Sequence, residues 1–204
     1  MISQSLFKIF ISAFLIDNVV LMRFLALCPF IGMTTDEDKA VGMGLAVTFV
    51  TVLATAATWP IYHFILSKET GVFRAILPGG LEFLQILVFI LVIAALVQLV
   101  EFYLKKMMPS LYGAMGIYLA LITTNCAILA VTFDVWLKKY NYIESLVYAA
   151  GVALGFLLSL LLLAGIRRRI KTSPVPAFLR GTPILFVTAA LLSMAFMGFS
   201  GLVK

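Results

Sequence analysis

Long apolar runs separated by short polar stretches dominate the pattern of this chain. Six of the runs reach the roughly 20 helical residues that are needed to cross a hydrocarbon layer. They cover approximately residues 5–31, 40–66, 82–104, 111–133, 143–166 and 182–203. The runs lack the strict alternation of a membrane β-strand, and a helix satisfies its backbone polar groups within its own segment. The pattern therefore predicts an all-α integral membrane protein with six transmembrane helices.

The composition is also typical of an integral membrane protein. Hydrophobic residues make up 63% of it and charged residues 12%, against about half and about a quarter in soluble domains. The connections are short, the longest being roughly 67–81 and 167–181, so they leave no room for a soluble catalytic domain. The net charge of +6 is then expected to reflect topology and lipid contact, with no nucleic acid as partner.

The distribution of basic residues predicts the orientation. In short loops, Lys and Arg are enriched on the cytoplasmic side. With six spans, the loops after the first, third and fifth helices share one side, and that side carries the densest basic cluster, from Arg167 to Lys171. We therefore expect this loop in the cytoplasm and both termini on the outer side of the membrane.

The two halves of the chain resemble each other weakly. Each half begins with a cysteine-bearing span, continues with a span dotted with glycine, and closes with a third span. The glycines are Gly42 and Gly44 in the first half, and Gly151 and Gly155 in the second. Because three spans are an odd number, the second half must enter the membrane inverted, an arrangement that places functional sites near the midplane, often on broken helices. We predict one transmembrane domain, 1–204, with inverted repeats of roughly 1–107 and 108–204; an old duplication without a remaining site is the alternative.

The first candidates for chemistry are the two cysteines, Cys28 and Cys126, which lie 98 positions apart, one in each half. Asp17 and Asn18 interrupt the first apolar run, and Pro29 lacks the N–H that would continue a helix there. Polar residues also precede the second cysteine: Thr123, Thr124 and Asn125. Broken helices are therefore expected beside both cysteines, at matching points of the two halves.

The residues alone leave four interpretations of the thiols open. Buried cysteines often act only as small hydrophobic side chains, and a disulfide is a second possibility. A zinc site usually has four protein ligands, but the sole histidine, His63, is distant in sequence. An iron–sulfur cluster needs about four thiolates, so these two cysteines would supply half of one.

Several motifs carry a resemblance to a known family. They are Leu27-Cys28-Pro29-Phe30-Ile31-Gly32, Ala40-Val41-Gly42-Met43-Gly44-Leu45-Ala46, Pro109-Ser110-Leu111-Tyr112, Leu121-Ile122-Thr123-Thr124-Asn125-Cys126-Ala127, Val175-Pro176-Ala177 and Met194-Ala195-Phe196-Met197-Gly198-Phe199-Ser200-Gly201-Leu202. Over essentially its whole length the chain resembles the family of the A-type membrane subunits of Rnf electron transport complexes (RnfA). The E-type subunit of the Nqr complexes, which are NADH:quinone reductases, is a close paralogue and remains the alternative.

This resemblance implies a function that the composition does not reveal. Rnf complexes reside in the inner (cytoplasmic) membrane of prokaryotes and couple electron flow between ferredoxin and NAD⁺ to Na⁺ or H⁺ transport. The resemblance further implies that the A-type subunit shares a midplane 2Fe-2S cluster with the homologous E-type subunit of opposite topology, in a complex that also contains the B, C, D and G subunits. The resemblance assigns Cys28 and Cys126 as the iron ligands of this chain. It would then be one part of a redox-driven ion translocase, without a complete active site of its own; a secondary transporter is the rival class.

Four polar residues near the thiols are candidates for a supporting role. Arg23 could offset the negative charge of a thiolate-bound cluster, or it could instead reach the headgroups or pair with a neighbouring helix. Thr123, Thr124 and Asn125 could donate hydrogen bonds to cluster sulfurs, which would tune the reduction potential.

Overall fold

Helices account for every regular element among the residues that the structure describes. The computed structural model describes residues 2–34, 37–61, 121–122, 125–176 and 179–198, with further single helical positions between 87 and 106. The elements are α1 (Ile2–Ile11), a π-helical turn (Ser12–Ile16), α2 (Val19–Arg23), α3 (Leu27–Met33), α4 (Glu37–Ile61), α5 (Cys126–Leu137), α6 (Tyr142–Thr172) and α7 (Thr182–Met197). The all-helical class is confirmed for this part of the chain. Much of the third predicted span and residues 111–120 of the fourth lie outside the described residues.

Two of the helices, α4 and α6, are long and apolar enough to cross a membrane unbroken. The apolar stretches are Glu37–Pro60, with 24 residues, and Tyr142–Thr172, with 31 residues. At a rise of 1.5 Å per residue they are about 36 and 46 Å long, which exceeds the ~30 Å of a hydrocarbon core. They coincide with the second and fifth predicted spans. Shorter apolar helices are found at Leu6–Ile16, Cys126–Leu137 and Thr182–Met197.

The first predicted span is not one helix but a broken one. After α1 the helix widens into the π-helical turn and stops at Asp17. A new helix, α2, starts after Asn18 and runs for only five residues. The expected interruption at these two polar residues is therefore confirmed.

A second interruption separates α2 from α3. The chain leaves helical geometry at Phe24 and resumes it at Leu27. Pro29 lies in the first turn of α3, where a helix has no internal partner for the missing N–H and tolerates proline. The proline thus marks the start of a helix, and the break that we predicted from it lies just before the cysteine.

The chain divides into two compact units, and the division falls within both long helices. One unit comprises Met1–Phe49 and Val147–Lys204, and the other comprises Val50–Leu146. The core of the first unit contains large side chains that are almost fully buried: Leu21, Phe30, Met43, Tyr148, Phe156, Leu160 and Leu163. The first break is packed into this core, since Asn18 is fully buried, whereas Phe24 in the second break is exposed.

Within the first unit, α4 and α6 run antiparallel. Glu37 at the start of α4 pairs with Arg168 near the end of α6, with 3.4 Å between Oε1 and Nη1. Further along α4, Thr48 Oγ1 lies 3.5 Å from the carbonyl oxygen of Ala153. The contacts move towards the start of α6 as α4 advances, which defines the antiparallel direction.

Within the second unit, aromatic residues join the end of α4 to the connection between α5 and α6. The indole N–H of Trp59 donates a hydrogen bond to the carbonyl oxygen of Tyr140 at 3.1 Å. The ring of Trp59 also meets the ring of Tyr142 edge-on, with 5.3 Å between the centroids. Trp and Tyr with a polar atom at one end are typical of membrane–water interfaces.

Candidate functional site

Cys28 lies at the start of α3, directly after a strained turn. It is the second residue of the helix, and its side chain is exposed. Phe24 and Ala26 both adopt left-handed backbone conformations, with φ of 53° and 58°. Such a conformation costs an L-residue roughly 1–2 kcal/mol, and strained residues of this kind cluster at functional sites. Phe24 ends α2, and Ala26, two residues before the thiol, is the N-cap residue of α3.

Asn18 holds the first break in place by bonding in two directions. Its Oδ1 accepts hydrogen bonds from the backbone N–H groups of Val20 and Leu21, at 3.1 and 3.3 Å, and so caps α2. Its Nδ2 donates to the carbonyl oxygen of Gly155 at 2.9 Å and to Ser159 Oγ at 2.8 Å, both on α6. Asn18 is fully buried, so every polar atom of its amide needs such a partner.

Two further contacts tie the broken span to its neighbours. The hydroxyl of Ser193 on α7 donates to the carbonyl oxygen of Leu21 at 2.6 Å, which satisfies a group that a five-residue helix leaves open. On the other side, Gly155 lets α6 approach the π-helical turn, because a Cβ at this position would lie 2.8 Å from the carbonyl oxygen of Phe14. The break is therefore supported by α6 and by α7.

Arg167 anchors the far end of α3. Its Nη1 donates to the carbonyl oxygen of Ile31 at 3.0 Å and to Thr34 Oγ1 at 3.2 Å. A cation at a helix C-terminus is favourable because the last carbonyl groups carry partial negative charge. In the sequence, Arg167 stands out only as part of a basic cluster; its contact with a helix 133 or more positions away has no signal there.

Cys126 is the first residue of α5, and Asn125 caps that helix. Asn125 Oδ1 accepts a hydrogen bond from the N–H of Ala127 at 3.0 Å. The side chain is buried, and its Nδ2 has no hydrogen-bond partner among the described residues. Cys126 itself is exposed. A helix that begins at the cysteine places a break inside the predicted span over 111–133, as we expected beside this cysteine.

The predicted site residues fall into two groups. Cys28 and Arg23 belong to the first compact unit, where Arg23 is the exposed last residue of α2. Cys126 and Asn125 belong to the second unit and are adjacent in sequence. Thr123 and Thr124 lie outside the described residues.

The residues around the cysteines fit a sulfur-rich anionic group. Both cysteines are exposed thiols near the start of a helix. At α5, a 12-residue helix, the N-terminal partial positive charge favours an anion, and Asn125 offers a buried donor that has no partner in the described part of the chain. No three His, Cys, Asp or Glu side chains among the described residues form a metal-binding group. The full sequence contains two cysteines, so two thiolates are the most that it could offer to such a group.

Helices long enough to cross a bilayer, with a broken helix next to an exposed thiol, define a helical membrane protein with discontinuous spans. The family model described as "Rnf-Nqr subunit, membrane protein" matches residues 6–203. The chain is 50% identical over 199 residues to the A-type subunit of the "Na(+)-translocating ferredoxin:NAD(+) oxidoreductase complex" of Acetobacterium woodii, covering 98% of both chains. It is 48% identical over 200 residues to the A-type subunit of the "Ion-translocating oxidoreductase complex" of Syntrophotalea carbinolica, again covering 98% of each. The chain belongs to the Rnf-Nqr family of membrane subunits, which confirms the resemblance carried by its motifs.

Proposed function

We propose that this chain is the A-type subunit of an ion-translocating ferredoxin:NAD⁺ oxidoreductase and that it holds half of a 2Fe-2S cluster. The observation that carries the proposal is the pair of exposed thiols, Cys28 and Cys126, each in the first turn of a helix that begins after a break in the chain's helical geometry. Near-full-length identity of 48–50% to proteins named as the A-type subunits of such complexes supports the assignment.

The number of thiols implies a partner. A 2Fe-2S cluster takes about four cysteine ligands, and the whole chain contains two cysteines. The remaining two ligands would come from a homologous subunit of opposite topology, the E-type subunit. When bound, the cluster would supply one-electron transfer in the membrane interior. The B, C, D and G subunits of the Rnf complex would carry the reactions with ferredoxin and NAD⁺.

The role of this chain's residues follows from their positions. Cys28 and Cys126 would ligate iron, and the N-terminus of α5 would stabilise the negative charge beside Cys126. Asn18 and Arg167 would keep the two ends of the broken segment fixed, so that Cys28 is presented in one orientation. A rigid support of this kind reduces the reorganisation that accompanies a change of charge.

In the topology that we propose, the chain crosses the inner membrane six times and both termini lie on the side opposite the cytoplasm. The basic cluster at the end of α6 favours a cytoplasmic location for that end, while Tyr142 and Trp59 at its start are typical interface residues. The bond from Arg167 to Thr34 agrees with a common side for the first and fifth connections.

Three pairs of residues support two inverted three-helix repeats. Asn18 and Asn125 cap helices, Glu37 and Glu144 lie in the first turns of α4 and α6, and Gly44 and Gly151 follow in those helices. The members of every pair are 107 positions apart. A common spacing at three kinds of position is expected of a duplicated unit, and it agrees with repeats of roughly 1–107 and 108–204.

Iron and acid-labile sulfide in the purified complex test the proposal. We expect Cys28→Ala and Cys126→Ser to lose the same 2Fe-2S signal in electron paramagnetic resonance spectra and to stop electron transfer and ion transport together. The control is Leu137→Ser, which changes an exposed residue at the other end of α5 and should keep the signal. Full iron content and transport in both cysteine variants would refute the assignment, and a chain that transports ions alone, without iron, would point to a secondary transporter. Transport with and without Na⁺ identifies the coupling ion.

A further inference from the structure

Two asparagines of this chain have the same local structure. Asn18 has φ −60° and ψ 112°, and Asn125 has φ −71° and ψ 113°. In both, the side-chain Oδ1 accepts a hydrogen bond from the backbone N–H two residues later. Both are at most 5% exposed. The two residues are therefore helix caps of the same kind, one in each half of the chain.

The equivalent caps differ in what their amide nitrogen does. Asn18 Nδ2 is satisfied by the carbonyl oxygen of Gly155 and by Ser159 Oγ. Asn125 Nδ2 is buried and has no partner among the residues that the structure describes. A buried donor without an acceptor is destabilising, and a native protein seldom keeps one without a reason. The difference indicates that Asn125 serves an acceptor other than the described protein groups around it.

The residues that follow the caps differ in the same sense. Val19, directly after Asn18, is buried with 1% exposure. Cys126, directly after Asn125, is exposed. After the Asn18 cap the first helical residue is buried in the core, and after the Asn125 cap it is a cysteine with an exposed side chain. The donor without a described partner and the exposed sulfur thus occur at the same cap.

We propose that Asn125 Nδ2 donates a hydrogen bond to a sulfur atom of the iron–sulfur group held by Cys126, either the thiolate or a bridging sulfide. The proposal rests on the function proposed above. Asn125 is a positioning residue: its Oδ1 fixes the start of α5, and its Nδ2 orients the group that Cys126 ligates. Asn18 is the structural counterpart, in which the same amide binds α6.

The expected consequence is a higher reduction potential. Hydrogen bonds to the sulfurs of an iron–sulfur cluster are among the factors that set its potential. A donor stabilises the reduced form more than the oxidised form, because the reduced cluster carries more negative charge. Loss of the donor should therefore make the cluster harder to reduce.

The test is a potentiometric titration of the purified complex, monitored by electron paramagnetic resonance. Only the signal that disappears in Cys126→Ser is followed, which separates this cluster from others in the complex. Asn125→Ser and Asn125→Asp both keep a capping oxygen and both lack the amide donor. The serine hydroxyl still has a proton, but its oxygen is the capping atom and lies one bond closer to the backbone than Nδ2. Leu137→Ser is the control, since it changes an exposed residue at the other end of α5 and leaves both asparagine caps in place.

We expect the midpoint potential to shift downward in both Asn125 variants and to stay at the wild-type value in Leu137→Ser. An unchanged potential in Asn125→Ser overturns the assignment, as does a shift confined to Asn125→Asp, where the added charge alone accounts for it. Loss of iron and sulfide in both Asn125 variants also overturns it, because Asn125 would then be needed to build the site. If Cys126→Ser removes no signal at all, the proposed function itself fails, and this result is distinct from the others.

Discussion

The contact between Gly155 and the π-helical turn leads to the sharpest prediction about stability. Gly155→Ala would place a methyl group 2.8 Å from the carbonyl oxygen of Phe14 and 3.4 Å from Asn18 Nδ2. An ordinary C···O contact is about 3.3 Å or longer, so the neighbour must retreat by roughly half an ångström. Because that neighbour is backbone rather than a flexible side chain, α6 and the π-helical turn have to separate. This also weakens the bond from Asn18 to Gly155.

The magnitude follows from two opposing terms. Overpacking of a buried contact costs about 1–3 kcal/mol, whereas alanine in place of glycine inside a helix gains up to about 1 kcal/mol. Gly165→Ala, in the same helix but with nothing within 4 Å of the added atom, receives only the gain. The two variants should therefore differ by about 1–3 kcal/mol, with Gly155→Ala the less stable.

A thermal unfolding assay on the detergent-solubilised complex measures this difference. For a chain of this length, 1 kcal/mol corresponds to a shift of about 2–4 °C in Tm, so Gly155→Ala should unfold about 2–12 °C below Gly165→Ala. The comparison within one helix cancels the propensity term. Equal Tm values for the two variants would show that the close approach of α6 to the π-helical turn does not contribute to stability.

Three further predictions concern the supports of the helix ends, and the same thermal assay checks each of them. Arg167→Gln should cost about 1–2 kcal/mol because it removes charged hydrogen bonds at the end of α3, while Arg168→Gln, in an exposed ion pair, should cost less than about 0.5 kcal/mol; equal effects would contradict this. The stability of Ala26→Gly should stay within about 1 kcal/mol of wild type, because glycine adopts the left-handed conformation without strain. Ala26→Val should lower the stability by about 1–3 kcal/mol, and a valine variant as stable as wild type would refute the strained turn. Trp59→Phe should cost about 1 kcal/mol through loss of the indole donor to Tyr140; no change would mean that this bond is not formed in the bilayer or detergent.

The sequence allowed the positions of helices and breaks to be predicted where the signal is local. The predicted spans 40–66 and 143–166 correspond to α4 and α6, because hydropathy over some twenty residues is a property of one segment. The break at Asp17 and Asn18 was also predictable, since a short polar side chain that caps a helix acts within two or three residues.

The sequence was less informative where a local rule has two outcomes. Pro29 predicted a broken helix beside Cys28, but not that Phe24 and Ala26 would both adopt left-handed conformations. Non-glycine residues adopt that conformation only when the surrounding packing requires it. The polar residues before Cys126 indicated a break, but not that Asn125 would repeat the cap formed by Asn18. The shared pattern Leu-Ile followed by Asn, at residues 15–18 and 121–125, was the signal available in the sequence.

The sequence by itself determined that this is a helical membrane protein, where its first span breaks, and that its two thiols can supply only half of an iron–sulfur cluster. These conclusions follow from composition, local capping and ligand number, which need no tertiary contact. Only the tertiary structure decided which partners hold the first break and the end of α3: Gly155 and Ser159 for Asn18, and Ile31 and Thr34 for Arg167. Those partners lie more than 130 positions apart in the chain. Their pairing depends on how whole helices pack, which is a property of the assembled fold and not of any one segment.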